Sequence, residues 1–273
     1  EIDISWPEKP VTMVIGYTAG GSSDTANRML AKKMGEYLDA EFNCINVTGG
    51  SASIAGQHVY NAPSDGYTMF AGVAHSVSGW RVLDYADIGW EDFYGFHAGT
   101  APYVLFVKDG SEYDTAEDLY EAIRANPNMK WGNAGLGSIN QLTGQMMMDI
   151  MELDAVSVPY GGGREAAIKV IAGEVVFSWA GASDVMDLAA AGEIKIIGVC
   201  DSEPLTVKTT DGEYVAPSLL DEYPQLSQLE DLLYWGFQVK RDTPPEVISK
   251  LKEAFDYAVE TDEWKEYCDS MYL

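Results

Sequence analysis

Four times along the chain a short apolar strand runs into a glycine-rich turn and then directly into a helix. A chain written this way is confined to α/β folds in which helices cover mainly parallel sheets. The first copy spans residues 11–38: the β-branched run Val11, Thr12, Val14 and Ile15 reads as a strand, Gly16 to Gly21 breaks it, and Ser22, Ser23 and Asp24 suit a helix start. Ala26, Met29, Leu30, Met34, Tyr37 and Leu38 then share one helical face. The pattern returns at Lys130–Asn133 with the loop Ala134 to Ser138 and a helix to about Met151. It returns again at Val156 to Tyr160, where Gly161 to Gly163 turn into a helix from Arg164 to about Ala172. The fourth version starts at Phe177 and passes through Ala180 to Ser183 into a helix ending near Gly192.

Each junction aims the first N–H groups of a helix, which have no intrahelical partner and lie at the positive end of its dipole, beyond the strand end. That makes an anion cradle, or else an ordinary turn capped by its own Ser and Asp side chains. The first loop alone leaves both readings open.

Between these copies, Phe42 to Val47 reads as a strand leading through a glycine turn to a short helix. Tyr67 to Gly72 reads as another strand, followed by a loop over Val73 to Ser78. Residues 92–108 hold two strand-like pieces separated by Gly99-Thr100-Ala101-Pro102, a candidate crossing between domains. Thr115 and Asp118 form a capping-box variant that opens a helix over Ala116 to Ala125. The polar, proline-punctuated stretch Asp201 to Gln228 reads mostly as loop. Trp235 to Val239 is strand-like, Pro244-Pro245 starts a long amphipathic helix, and a short helix around Trp264 follows.

Charge and composition exclude several functions. With 17 Lys and Arg against 43 Asp and Glu, the formal charge of −26 argues against nucleic acid and anionic membrane surfaces. No apolar run reaches the roughly 18 residues of a bilayer span, and EIDISWPEKP has neither the basic region nor the apolar core of a signal peptide, as expected of a mature form. Cys44, Cys200 and Cys268 are odd in number and widely spaced, so at most one bridge could form. Asn46-Val47-Thr48 matches a glycosylation acceptor only in form.

No motif for covalent or metal chemistry is present. Gly16 to Ser22 lacks the lysine of a phosphate-binding loop, no glycine loop has the full dinucleotide spacing, and GxSxG does not occur. His58, His75 and His97 show no metal-ligand spacing, and neither a metal nor a cofactor is expected. What remains is a set of strand-to-helix loops poor in cations and rich in hydroxyl and backbone donors, placed where open α/β sheets bind ligands.

In order along the chain, Trp6-Pro7-x-Lys9-Pro10, Gly20-Gly21-Ser22-x-Asp24, Ala62-Pro63-x-Asp65-Gly66-Tyr67-Thr68, Ala125-Asn126-Pro127, Gly135-x-Gly137-Ser138 and Val158-Pro159-Tyr160-x-Gly162-Gly163 cover almost its whole length. Together they resemble the solute-binding proteins of tripartite tricarboxylate transporters, the Bug family. The resemblance implies a two-lobed periplasmic-binding-protein fold of type II, the Venus flytrap. One lobe would comprise residues 1–100 plus 226–273 and the other 101–225, with a ligand cleft between them.

The implied function is capture of a small carboxylic acid, a di- or tricarboxylate or an aromatic acid, by a non-enzymatic, monomeric receptor in the periplasm or otherwise outside the cytoplasmic membrane. Lipoprotein anchoring stays open. The receptor would deliver the acid to the membrane permease subunits of the transporter. Carried over by position, the ligand-binding residues are Tyr17, Thr18, Ala19, Gly20, Gly21, Ser22 and Ser23 on the first loop, and Ala74, His75 and Ser76 after the third strand. In the second lobe they are Ala134, Gly135, Gly137, Ser138 and Asn140, then Tyr160, and Trp179, Ala180, Gly181, Ala182 and Ser183.

Two departures from the family stand out. Gly16-Tyr17-Thr18-Ala19 replaces the usual Pro-Phe-Pro-Pro, and Ala180 falls where members that bind amino acids carry an Asp, so the expected ligand has no α-amino group. Arg164 could pair with a distal carboxylate or be a solvated helix-start residue, and Trp179 could wall the cleft or belong to the core. The competing readings are a soluble α/β enzyme acting on a carboxylated metabolite and a binding protein used for signalling.

Overall fold

The computed structural model describes residues 5–73, 76–230 and 234–271. In chain order the elements begin with β1 (Val11–Ile15), α1 (Ser22–Leu38), β2 (Phe42–Asn46), α2 (Ser53–Asn61), β3 (Thr68–Val73), α3 (Ser76–Trp80) and β4 (Phe93–Thr100). There follow β5 (Tyr103–Lys108), α4 (Ala116–Ala125), β6 (Lys130–Asn133), α5 (Ile139–Ile150), β7 (Val156–Pro159), α6 (Gly163–Ile171), β8 (Phe177–Gly181) and α7 (Met186–Ala190). Next are β9 (Ile194–Cys200), β10 (Leu205–Thr209), β11 (Gly212–Ala216) and α8 (Leu219–Glu222), and finally β12 (Tyr234–Lys240), α9 (Pro245–Glu260) and α10 (Asp262–Met271). The chain divides into two compact units: one takes the chain through Gly99 and again Tyr234–Met271, and the other takes the stretch between.

The first unit is built on a five-stranded sheet of order β2-β1-β3-β12-β4. β1 lies parallel to both neighbours, with Val11 opposite Phe42 and Thr12 opposite Thr68, while β12 runs antiparallel to β3. A parallel strand whose two faces are covered by helices is apolar on both, and Val11, Met13, Val14 and Ile15 are all fully buried. The helical spacing of Ala26, Leu30 and Met34 turns one face of α1 onto this sheet. Val247, Leu251, Ala254 and Ala258 of α9 join the same core. Each fully buried Leu or Val side chain here contributes about 1.5–3 kcal/mol.

The second unit repeats the arrangement. Its sheet has the order β7-β6-β8-β5-β9, with β6 parallel to β7 and β8 and with β5 antiparallel to β8 and β9. Each sheet is therefore mixed, with three parallel strands beside an antiparallel one, and β1, β2 and β3 correspond in place to β6, β7 and β8. In both sheets the chain moves to one side of the first of these strands and then crosses to the other. This creates a topological switch point, and such points are where open α/β sheets leave a crevice beyond their strand ends. The loops at the two switch points follow β1 and β3 in one unit and β6 and β8 in the other.

Two local readings are corrected. Asp201 to Gln228 is not mostly loop: β10 and β11 form an antiparallel hairpin with Leu205 opposite Ala216, turning through Thr210 and Asp211 into Gly212, whose φ is 145°. The stretch after β3 is not loop throughout either, because Ser76–Trp80 is helical. Trp80 anchors that helix: its ring is buried, its indole N–H donates to the Ser51 carbonyl at 2.9 Å, and it packs so closely on Gly56 that a Cβ there would lie 2.1 Å from it. The capping box at the start of α4 is present, with Thr115 and Asp118 bonding reciprocally. No helix among the described residues is long and apolar enough to cross a membrane.

Candidate functional site

The loop after β1 is held by a buried carboxylate. Asp24, only 6% exposed, accepts from the Gly20 N–H at 2.9 Å, from Arg28 Nε at 2.8 Å and from the Asn46 amide at 2.8 Å. Asn46 also donates to the Tyr17 carbonyl at 3.0 Å and accepts from Arg28 at 2.9 Å, so the amide of the glycosylation-like triplet is a structural part of this loop. Gly20 has φ 79°, a conformation that glycine adopts without penalty.

Helix α1 starts without a side-chain cap, and Ser22 and Ser23 lead it into the switch point. The Ser22 hydroxyl accepts from the indole N–H of Trp235 at 3.1 Å, and Tyr17 Oη meets Ser76 Oγ at 2.6 Å. The structure thus brings Tyr17, Ser22, Ser23 and Ser76 together at the switch point of the first sheet. Thr18 is half-buried and Ala19 exposed on the same loop. Ala74 and His75 lie outside the described residues.

The loop after β6 is built in the same way with different chemistry. Gly135 and Gly137 have φ 116° and 74°, and the Gly135 N–H donates to Asn133 Oδ1 at 3.1 Å. The Gly137 N–H donates to Gln141 Oε1 at 3.1 Å, and Ser138 caps α5 by accepting from the Gln141 N–H at 3.1 Å. Ala134, Gly137, Ser138 and Asn140 are buried together at this helix start.

Beyond β7, the N–H of Gly161 donates to Glu165 Oε2 at 2.9 Å. One device therefore recurs in three loops: a glycine N–H is tied to the side chain four residues on, Asp24, Gln141 or Glu165. The reading of the sequence missed it, and its signal was the spacing of a loop glycine and an acidic or amide residue across the helix start. The consequences differ by charge. Asp24 is balanced by Arg28 and Gln141 is neutral, so the starts of α1 and α5 keep their attraction for an anion. At α6 the chain supplies its own anions: besides Glu165, the Asp184 carboxylate lies against Gly163, where a Cβ would come within 2.3 Å of Oδ2.

The remaining expected site residues are placed as follows. Arg164 grips both oxygens of Asp187 at 2.7 Å and so is paired within the chain. Trp179 is fully buried, stacked on Tyr103 at 5.5 Å, and gives its indole N–H to Thr143 Oγ1 at 3.0 Å, which puts it in the core. Ala180, Gly181, Ala182 and Ser183 form the buried end of β8 and the 3₁₀ turn after it, and Tyr160 is half-buried beyond β7. Among the described residues no group of three or more His, Cys, Asp or Glu could hold a metal ion.

Hydrogen bonds from Arg164 hold the Asp187 carboxyl below its ordinary range. A depressed pKa stabilises the fold above the unfolded value of about 3.9 and is lost as pH falls through the folded value. Asp187 is half exposed, so Asp187→Asn should cost no more than about 1 kcal/mol at neutral pH. It should also flatten the stability profile of the protein below about pH 4, as followed by thermal melts across that range.

Comparison with known proteins places these loops in a lineage. The model of the TctC, tripartite tricarboxylate transporter family receptor, matches residues 26–271. The "UPF0065 protein in the TAR-I ttuE-ttuC' intergenic region" of Agrobacterium vitis is 27% identical over 260 residues, covering 93% of this chain and 72% of that protein. In fold, the chain is similar to R. palustris Rpa4515 with adipate, at TM-score 0.85 and 22% identity, with 97% of this chain and 88% of that one covered. It is likewise similar to MatC of Rhodopseudomonas palustris with bound malate, at TM-score 0.81 and 18% identity, with 97% and 90% covered. With a family match across nine-tenths of its length and the repeated switch-point loops of a periplasmic binding protein, the chain belongs to the tripartite tricarboxylate transporter receptor family.

Proposed function

We propose that this protein captures a small carboxylic acid outside the cytoplasmic membrane and hands it to the permease subunits of a tripartite transporter, without catalysing a reaction. The observation that carries this reading is the pair of equivalent helix starts, α1 and α5, at the switch points of the two sheets. Both present backbone and hydroxyl donors, and the carboxylate nearest to α1 is already neutralised by Arg28. Donors of that kind suit a carboxylate, since each hydrogen bond to a charged group is worth roughly 1.5–3 kcal/mol and acts locally despite the overall negative charge. On this reading the ligand draws on loops of both units, and their closure over it is the signal that the permease reads. The adipate and malate bound by the two R. palustris proteins are acids of the expected size. Ala180, lacking a charge, points to a ligand without an α-ammonium group.

Gly21→Val tests the first cradle. Gly21 is buried, with φ −79° and ψ 170°, which a branched residue adopts without backbone strain, and a thermal melt of the variant separates loss of binding from loss of fold. Meanwhile the added methyl groups obstruct the leading N–H groups, and affinity for the acid should fall by about a hundredfold in calorimetric titrations. Unchanged affinity would remove this loop from the site. Mass spectrometry of the small molecules that co-purify with the protein supplies the first candidates for the titration.

A further inference from the structure

The turn that leads into β4 holds a tryptophan out in solvent. Trp90 is 68% exposed, and Val82, on the segment between α3 and this turn, is 85% exposed. Single exposed apolar side chains are common, but this one sits on a fixed mount. The Gly89 N–H donates to Asp92 Oδ2 at 2.8 Å and the Asp92 N–H to the Gly89 carbonyl at 3.1 Å, which closes the 3₁₀ turn Trp90–Asp92. Arg81 pairs with Glu91, with Asp92 at 3.4 Å and with Asp87 at 3.2 Å, tying the turn to the end of α3 and its buried Trp80. Arg241, just after β12, gives its backbone N–H to the Asp92 carbonyl at 2.8 Å and its Nε to the Glu91 carbonyl at 3.2 Å. A tryptophan on so fixed a backbone loses little freedom on binding and offers a large area to bury, the two properties of an interface anchor.

The charges restrict what it can anchor to. Segment 81–92 carries Asp84, Asp87, Glu91 and Asp92 against Arg81, and with Arg241 counted the carboxylates still outnumber the arginines. Both arginines are engaged by the turn itself, whereas Asp87 is fully exposed. A two-fold contact with a second copy would set this acidic patch against itself. An anionic lipid surface would be repelled by the patch and by the overall charge of −26. A basic protein segment meets both features at once, since an indole face attracts arginine or lysine and the carboxylates add to that attraction.

We infer that Trp90 and the carboxylates of its segment form the surface by which the receptor is held on the membrane subunits of its transporter, and that those subunits meet it with an arginine or lysine beside an apolar recess. This rests on the carboxylate-receptor reading and gives its delivery step a place on the molecule. The test is binding of the whole, fluorescently labelled receptor to phosphatidylethanolamine–phosphatidylglycerol liposomes carrying those membrane subunits, with protein-free liposomes of the same lipids beside them, each with and without adipate. The wild type should bind only the liposomes that carry the subunits. Trp90→Ala should weaken that binding at least about tenfold and Trp90→Phe by less, because an aromatic face remains. Melting temperature should match the wild type in both, Trp90 being exposed. Replacing Asp84 and Asp87 together by Asn should make the binding less sensitive to salt. Wild-type binding that does not distinguish the two kinds of liposome overturns the inference, as does wild-type affinity in Trp90→Ala or a salt dependence that the double variant leaves unchanged. A receptor that light scattering shows to be dimeric, and Trp90→Ala to make monomeric, assigns the surface to a second copy and overturns it too. Calorimetry with adipate and malate reports separately on the acid-binding reading, which stands or falls on its own result.

Discussion

Asp24→Ala is expected to abolish carboxylate binding and to lower the stability of the first unit by about 2–4 kcal/mol. Deleting a carboxylate beside an anion site would help binding if long-range charge decided the outcome. Geometry decides it here, because Arg28 already balances the Asp24 charge at 2.8 Å. What the carboxylate supplies is a fixed acceptor for the Gly20 N–H, the Asn46 amide and Arg28 at once. Its loss leaves a loop N–H and an amide without their acceptor and frees the turn whose shape aims Ser22 and Ser23. Arg28 is 44% exposed, so water recovers part of its loss, which keeps the stability cost below that of a fully buried pair. Asp24→Asn keeps an acceptor for Gly20 and should retain part of both properties. Denaturant unfolding and calorimetric titration measure the two effects, and wild-type affinity in Asp24→Ala would show that the loop needs no such anchor.

Gly236→Ala should be nearly as damaging, and to stability alone. Gly236 sits in β12 at φ 154°, and a Cβ built there would lie 1.9 Å from the carbonyl oxygen of Phe96 in β4. That oxygen belongs to a neighbouring backbone, so relief requires the strands to part, and Phe96 is stacked on Phe237 at 4.6 Å just beside the contact. Backbone strain and overpacking of about 1–3 kcal/mol each put the expected loss at about 3 kcal/mol or more. Gly173→Ala is the control: φ is 75° there, but nothing lies within 4 Å of the added carbon, so only the backbone penalty applies. Equal losses in the two variants, measured by denaturant unfolding, would refute the close approach of β12 to β4.

The strand, glycine turn and helix units were legible in the sequence because local signals coincide in each: a strand-forming run, β-branched in β1 and β7 and aromatic in β6 and β8, then a glycine break and an apolar helical face. The hairpin of β10 and β11 was not legible. Its first strand alternates buried Leu205 and Val207 with exposed polar residues, its second buries only Ala216, and their shortness made the polar half dominate the reading. Helix α3 has the sequence Ser-Val-Ser-Gly-Trp, with no strong helix former, and is fixed instead by the burial of Trp80, a tertiary cause invisible locally. At the candidate site, sequence position alone identified the loops but not the partners. That Arg164 is taken by Asp187, 23 residues away, and that Trp179 gives its N–H to Thr143 depend on how the chain folds back on itself. The ties from Gly20, Gly137 and Gly161 lie within reach of pattern reading, since donor and acceptor are always four residues apart.

The place of β12 has a consequence for how the protein is made. It lies between β3 and β4 in the first sheet, yet among the described strands it comes last in chain order and so leaves the ribosome after all the others. Until residues 234–240 emerge, β3 has an open edge and β4 has no strand beside it, while the second unit, formed by one uninterrupted stretch of chain, already holds every strand of its own sheet. Domains fold as units during synthesis, so the middle of the sequence, from Thr100 onward, can mature first while the N-terminal segment waits for its C-terminal partner. For that interval an unpaired β3 edge is exposed to other chains, and the order of assembly makes the C-terminal segment the step that closes it.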